Sequence, residues 1–312
     1  MELQSILTQS LERRQQLRGK AATGPEATDA WRVVDGETDG LPGLTIDDFA
    51  GHWVVSTRDR PWPQGLESAA LTWAGSVWWR RLERGDKAAA DWVAGAQPDP
   101  GAALTMREHG LRYEIDPAAG YSPGLFLDQR DNRRRVRERL QPGQRMLNLY
   151  AYTCGFSVAA AAAGAVTSSV DLSGHSLAWG KRNFELNGFD PAAHHFVRGD
   201  AFEWLSQFAR KGRRFDLAVA DPPTFSRGGR RKVWRVEHDL PELVAATAAV
   251  LNPGAWLMVS SNCRRLEPTG FFNLVEDGLA TAGRSVSLRE APSMPDDFRG
   301  SDYLNCLWVR LV

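Results

Sequence analysis

Two hydrophobic rhythms divide this chain. Up to about Gln97 short alternating stretches dominate. Trp31–Val34, Leu44–Asp47 and Trp53–Thr57 read as strands, and Asp39–Gly40 with Pro42–Gly43 turn the chain between the first two. Gly65–Trp79 reads as a helix with a break at Gly75, and Leu104–Glu108 with Leu111–Ile115 as a hairpin around His109–Gly110. Ser5–Arg18 precedes them as an amphipathic, charged helix, followed by a loose Lys20–Thr28 linker. From Met146 onward, compact apolar runs alternate with segments of helical period. The expected strands are Met146–Tyr150, Val166–Val170, Phe196–Val197, Phe215–Ala220 and Ala255–Ser260, closed by Arg284–Arg289 and Leu304–Leu311. The helices between them are Phe156–Ala165, Leu177–Leu186, Ala201–Phe208, Leu240–Leu251 and Gly270–Ala282. The expected organisation is α/β: a helix and linker over 1–28, a small α+β domain over 29–120, and a larger domain over 121–312 built on a seven-stranded sheet.

In an open parallel sheet, ligands bind beyond the carboxyl ends of the strands. Three acids fall there in succession: Asp171, Asp200 and Asp221. An acid at the tip of the second strand accepts hydrogen bonds from a ribose diol, which assigns Asp171. Asp200, with Ala201, is placed to face an adenine, whose exocyclic amino protons need an acceptor. One acid after a strand is commonly a helix N-cap, so the register of the three carries the argument. The first turn, Tyr152-Thr-Cys-Gly155, discriminates between nucleoside cofactors. A dinucleotide brings its pyrophosphate against a G-x-G-x-x-G backbone, whereas here Gly155 stands alone and is followed at once by bulky Phe156. S-Adenosylmethionine carries no phosphate and tolerates such a turn, so it is the expected cofactor. Asp221 then opens Asp221-Pro222-Pro223-Thr224-Phe225, a turn stiffened by two prolines at the mouth of the site.

Charge narrows the partners. Lys plus Arg equals Asp plus Glu at 38 each, so no global field favours nucleic acid and any such site has to be local. One local candidate is the run over 130–139, six arginines against two acids, which reads equally as a solvated helix face. The other is Arg227–Arg235 (RGGRRKVWR), beside the Asp-Pro-Pro turn, where Arg230 and Arg231 suit phosphate contact and Trp234 suits base stacking. The cysteines Cys154, Cys263 and Cys306 are too few and scattered for a disulfide framework or a zinc site, which fits a reducing cytoplasm. The six histidines show no ligand spacing, so no metal is expected. The N-terminal stretch lacks the apolar core and cleavage site of a signal peptide, and no apolar run approaches membrane-spanning length. Twelve tryptophans, more than half of them before Gly95, suit a core edge or an interface, and a homodimer is a compatible assembly.

Several stretches taken together resemble a known family. They are Trp31–Val34 with Asp39-Gly-Leu-Pro-Gly-Leu44, Gly124-Leu-Phe-Leu-Asp-Gln-Arg130 with Asn132–Arg133, Asn148-Leu-Tyr150 and Thr153-Cys-Gly-Phe-Ser157. Asp171-Leu-Ser173, Asn183, Asn187-Gly188, Gly199–Asp200 and Asp221-Pro-Pro223 continue the series. The chain resembles the bacterial large-subunit ribosomal RNA methyltransferases that modify carbon 5 of cytosine, and their relatives that modify N7 of guanine. The resemblance runs from about residue 29 to the C-terminus. It implies a Rossmann-like class I methyltransferase fold, S-adenosylmethionine as methyl donor and ribosomal RNA as substrate and partner. It also implies a cofactor site that takes in Arg130, Asn148, Tyr150, Gly155, Phe156 and Leu172 beside Asp171, Asp200, Ala201 and Asp221.

Two features depart from that family. The cytosine enzymes usually begin with a small PUA domain, for which this chain has no sequence. Methylation at carbon 5 also requires a thiolate to attack carbon 6, and the resemblance places that cysteine in a Ser-Cys pair after the fifth strand. Here Met258-Val-Ser-Ser-Asn-Cys263-Arg-Arg265 puts Asn262 at the nucleophile position and Cys263 one residue beyond, on the other face if strand geometry persists. The Ser-Asn-x-Arg and Asp-Pro-Pro-Thr-Phe-Ser stretches are more similar to the guanine-N7 relatives. Guanine N7 has an in-plane lone pair and no proton, so its methylation needs positioning alone. Asp221 and Asn262 would then hold the base edge, flanked by Pro222, Pro223 and Phe225, and Cys263 would be catalytic only for carbon 5. Two other readings stay open at this level. A small-molecule methyltransferase fits the neutral charge and predicts a compact pocket under 227–235. An RNA-associating, cofactor-binding protein without turnover predicts that Asp221 and Asn262 are dispensable for any product.

Overall fold

The computed structural model describes residues 3–14, 24–82, 89–99, 103–120, 122–226, 233–298 and 300–312. They form two compact units, Met1–Asp131 with Met294–Ser301, and Asn132–Ser293 with Asp302–Val312.

The first unit contains helix α1 (Leu3–Arg13), strands β1 (Ala30–Asp35), β2 (Leu44–Phe49) and β3 (His52–Thr57), helix α2 (Leu66–Ala70), and strands β4 (Ser76–Arg81) and β5 (Asp91–Gly95). The five strands pair in sequence order; β3 and β4 are parallel and the other neighbours antiparallel. One core takes Leu44, Ile46, Trp53, Val55 and Val77 from the strands and Leu7 and Leu11 from α1. The N-terminal helix thus belongs to this core and is not part of a separate 1–28 segment. The helix expected over Gly65–Trp79 stops at Ala70, and its second half is β4. Val77-Trp78-Trp79 is β-branched and aromatic, and it gains a full parallel ladder on β3, with Trp53 opposite Val77. Strand β5 carries no clear period and was not expected. Strands β6 (Leu104–Glu108) and β7 (Leu111–Ile115) form the expected hairpin.

The boundary expected at 120 falls instead after Asp131, and the segment 294–301 returns to this unit. Buried Asp297 explains both. It receives Arg130 Nη1 at 3.1 Å and the Arg32 backbone N–H at 2.9 Å, while its carbonyl accepts Arg14 Nη2 at 2.9 Å. Asp39 completes the cluster by pairing with Arg14 at 2.8 Å. Burial pushes the Asp39 carboxyl up, but hydrogen bonds from Arg14 and from the Asp35 backbone outweigh this and hold it below its ordinary value.

The second unit opens with helix α3 (Arg130–Arg139, its first turn in the other unit), followed by β8 (Arg145–Leu149) and α4 (Gly155–Ala162). Next come β9 (Val166–Asp171), α5 (Gly174–Leu186), β10 (His195–Arg198), α6 (Ala201–Arg210) and β11 (Phe215–Ala220). A short ribbon, β12 (Phe225–Ser226) and β13 (Trp234–Arg235), leads into α7 (Val236–Ala248), β14 (Leu251–Ser261), α8 (Pro268–Thr281), β15 (Val286–Glu290) and β16 (Asn305–Leu311). The seven-stranded sheet has the order β10-β9-β8-β11-β14-β16-β15. It is parallel except where β16 runs antiparallel to β14 and β15. Both faces are covered, as a parallel sheet requires: Leu217 and Val219 of β11 enter one core, while Ala218 and Ala220 enter the other. The strand order reverses at β8 and β11, so the crevice beyond their carboxyl ends is the natural ligand position.

The arginine run of α3 is only in part a solvated face: Arg134 is exposed and pairs with Glu138 one turn on, but other members are taken up by packing. Arg133 is buried over the Phe156 ring, and Arg135 and Arg139 reach Glu290 at 3.2 and 2.6 Å. Arg139 also stacks over Trp256 and Trp308 at 4.4 and 4.6 Å. Among the described residues no helix is long and apolar enough to cross a membrane.

Candidate active site

The turn from β8 into α4 holds three non-glycine residues in the left-handed region: Tyr150 (φ 56°), Tyr152 (φ 49°) and Cys154 (φ 63°). Each costs about 1–2 kcal/mol in that conformation, so neighbouring groups must hold the turn. Asp171 Oδ2 accepts the Tyr152 N–H at 2.8 Å, and buried Asn183 donates from Nδ2 to the Thr153 carbonyl at 2.9 Å. Beneath the turn, Asn148 donates to Ser157 Oγ, which in turn meets Ser169 Oγ at 2.8 Å. Backbone strain concentrated at one strand end is characteristic of a functional turn.

Beside this turn lies a recess open to solvent. Tyr150, Asp171, Leu172, Asp200 and Ala201 of the expected cofactor residues line it, at the carboxyl ends of β8 and β9 and the start of α6. Asp171 Oδ1 accepts the Ser173 N–H at 2.8 Å, so both its oxygens are aimed by backbone donors. Asp200 is indeed an N-cap, with Oδ1 accepting from Phe202 and Glu203 N–H groups at 3.0 and 3.2 Å; the same carboxylate still borders the recess. Leu172 is 46% exposed and offers an apolar wall. Four further lining residues, Val170, Gly199, Phe202 and Ser226, were not anticipated. Gly199 and Phe202 flank Asp200–Ala201 and follow from that motif, whereas Ser226 carries no local signal.

Five expected cofactor residues lie elsewhere, Asp221 among them. Asn148 is buried beneath the turn, Gly155 begins α4, and Phe156 packs into the core beside Met146 and Val219. Arg130 is buried in its ion pair with Asp297 inside the other unit. The chemistry of the recess suits a nucleoside cation. Its polar lining offers two carboxylates that accept from hydroxyl or amino hydrogens, its other walls are apolar, and no basic residue lines it among the described residues. A pyrophosphate would meet like charge there.

Asp221, also expected at the cofactor, lies outside that lining, at the end of β11, where its Oδ1 accepts Ser260 Oγ at 2.6 Å. Thr224 Oγ1 donates to Asn262 Oδ1 at 2.9 Å, which ties the Asp-Pro-Pro-Thr turn to the residue after β14. Asn262 is exposed; Cys263, the next residue, is 2% exposed, sits in the hydrophobic core and turns its Sγ to Glu237 Oε1 at 3.6 Å. Burial pushes the Glu237 carboxyl up, but hydrogen bonds from its own backbone and from Arg265 outweigh that and hold it below the glutamate norm. Pro222 is buried, and Pro223 and Phe225 are exposed. Trp234 does not stand out for stacking: it is 6% exposed, lines the recess and donates from Nε1 to the Pro223 carbonyl at 2.7 Å. Arg230 and Arg231 lie outside the described residues.

Comparison with known proteins gives the family and the fold. The family described as S-adenosylmethionine-dependent methyltransferase matches residues 65–307. A ribosomal RNA large subunit methyltransferase of Deinococcus radiodurans is 33% identical over 299 residues, covering 91% of this chain and 73% of its own length. Ribosomal RNA large subunit methyltransferase K of Neisseria meningitidis is 31% identical over 294 residues, covering 90% and 80%. A structure solved in complex with SAH shares the fold with a TM-score of 0.85 at 23% identity, covering 98% of this chain and 80% of that one.

Proposed function

This chain belongs to the S-adenosylmethionine-dependent methyltransferase family, and on that premise we propose that it methylates a base of large-subunit ribosomal RNA in the cytoplasm, at N7 of guanine and not carbon 5 of cytosine. The relatives named above support the RNA class. One observation carries the choice of atom: the exposed residue after β14 is Asn262, while the Cys263 sulfur is buried and turned to Glu237. Carbon 5 methylation needs a thiolate open to the base; N7 methylation does not.

S-Adenosylmethionine, when bound, supplies an electrophilic methyl group on a sulfonium. Asp171 would accept from its ribose hydroxyls and Asp200 from its adenine amino group, with Leu172 and Phe202 as apolar walls. The hydroxyl of Thr224 occupies the carbonyl oxygen of Asn262, which leaves the Asn262 amide N–H groups to point at an acceptor. Guanine presents two acceptors on its major-groove edge, O6 and N7. An amide donating to O6 would leave the N7 lone pair free for transfer. The base gains positive charge as N7 is methylated, and Asp221 supplies a nearby carboxylate to balance it.

Nucleoside mass spectrometry of ribosomal RNA from a deletion strain tests the reading. Loss of one 7-methylguanosine, restored by Cys263→Ala and not by Asn262→Ala, is the expected result. Loss of one 5-methylcytidine that Cys263→Ala fails to restore would overturn the choice of atom. An unchanged set of ribosomal nucleosides would overturn the RNA assignment.

A further inference from the structure

Trp234 touches both halves of the site. Its ring lines the recess together with Asp171 and Asp200, with ring centroids 6.2 Å from Tyr150 and 6.0 Å from Phe202. Its indole N–H donates to the carbonyl of Pro223, in the middle of the turn that begins at Asp221. Its backbone belongs to the β12–β13 ribbon, where Ser226 pairs with Trp234, and both residues of that pair line the recess. The next residue but one closes the same loop, as Val236 N–H donates to the Thr224 carbonyl at 3.2 Å. Thr224 in turn holds Asn262. One side chain therefore links the wall of the recess to the Asp221–Thr224 turn, and through Thr224 to Asn262.

We infer that Trp234 is a positioning residue: a nucleoside filling the recess against its indole fixes the Asp221–Thr224 turn through the Nε1–H to Pro223 bond, so that cofactor occupancy sets the substrate-facing group. The inference rests on the reading of the recess as the S-adenosylmethionine site. The physical ground is the geometry of the bond. The Pro223 peptide has little freedom of its own, being held in a Pro-Pro unit, so its remaining motion is that of the ribbon as a whole. A ligand that confines the indole confines the ribbon, and the ribbon carries Thr224 and its hold on Asn262. The arrangement predicts order: the cofactor enters first and the base is received by a turn already set. A tryptophan serves this better than phenylalanine because it combines a broad apolar face with a donor at its rim.

The test uses the full chain and SAH as probe, with calorimetry for affinity and hydrogen–deuterium exchange for the backbone. SAH is expected to slow exchange in peptides spanning 222–226 and 233–240 at least tenfold in the wild type. Trp234→Phe keeps a ring on the recess wall and loses the N–H. With the variant saturated with SAH, the ligand-induced slowing in those peptides is expected to disappear. A residue with a purely structural part would shift free and bound exchange alike and leave the ligand-dependent difference intact; that result overturns the inference. Trp234→Leu, apolar and without any donor, takes the place of phenylalanine if that variant unfolds. The wild-type experiment alone is also decisive: SAH binding with no slowing in 222–226 or 233–240 sinks the coupling. Failure of SAH to bind the wild type instead sinks the reading of the recess.

Discussion

Gly180 offers a test of how the strained turn is held. It lies in α5, against the turn that follows β8, and a Cβ added there would stand 2.4 Å from Cys154 Sγ and 2.9 Å from Cys154 Cβ. Cys154 has nowhere to withdraw: it is fully buried, its backbone is left-handed at φ 63°, and burial pushes its thiol up to about 12, so the sulfur is a neutral packing group. Alanine is worth about 1 kcal/mol over glycine in a helix interior, while overpacking costs about 1–3 kcal/mol. The clash involves Cβ as well as Sγ, which places Gly180→Ala toward the upper end, a net loss of about 1–2 kcal/mol. Cys154→Gly removes both clashing atoms and relieves a left-handed penalty of about 1–2 kcal/mol, against the loss of a small buried side chain of similar worth. It should be close to neutral. In the double variant the overpacking is gone and the helix gain remains, so Cys154→Gly/Gly180→Ala should recover about 2–3 kcal/mol over Gly180→Ala alone. The measurement is a double-mutant cycle by urea denaturation, with SAH affinity recorded on the same four proteins. The single Gly180→Ala variant should bind SAH more weakly, because Tyr150 sits on the displaced turn and Asp171 is bonded to its Tyr152 N–H, and the double variant should regain it. Additivity of the two substitutions within about 0.5 kcal/mol would refute the argument.

Three further outcomes follow from the same geometry. Asp200→Asn retains a good N-cap, so stability should move by a few tenths of a kcal/mol at most, while SAH affinity falls about tenfold or more for a lost charged acceptor; unchanged affinity in calorimetry would remove Asp200 from the cofactor site. Arg130→Met leaves Asp297 buried without its guanidinium and should cost about 3–5 kcal/mol, with SAH affinity of the folded protein intact; the reverse pattern would return Arg130 to the cofactor. Burial lowers the pKa of His52, and of His194 together with the neighbouring His195; burial followed by Arg213 and Arg145 lowers that of His195. The unfolded chain then binds more protons than the folded one as pH falls below the ordinary histidine value of 6.5, so stability drops on acidification. The melting temperature should fall between pH 7.5 and 5.5, and a melting temperature that rises over that span would contradict it.

What the sequence by itself determined is short-range. Compact apolar runs, a polyalanine helix and acids just past strand ends specify β8, α4, β9 and β11, and with them Asp171 and Asp200 on the recess. These signals survive because a strand, its turn and its helix are encoded within a few neighbouring residues. The one-residue offset between Asn262 and Cys263 was legible for the same reason, since adjacent side chains at a strand end face opposite ways. The tertiary structure decided everything that depends on partners distant in the chain. Arg130 reads like a site residue because it stands in a distinctive motif, yet its partner Asp297 is 167 positions away and takes it into a core. Arg133–Arg139 reads as a charge run, yet Glu290 takes Arg135 and Arg139, and Trp256 and Trp308 stack on Arg139. Trp79 and its neighbours read as helix until β3 supplies a ladder. Trp234 reads as an exposed stacking group, yet the Pro223 carbonyl and the Tyr150 and Phe202 rings draw it inward. Charge and aromatic character are properties of a residue, but whether either is spent on packing or offered to a ligand is set by which distant surface arrives beside it.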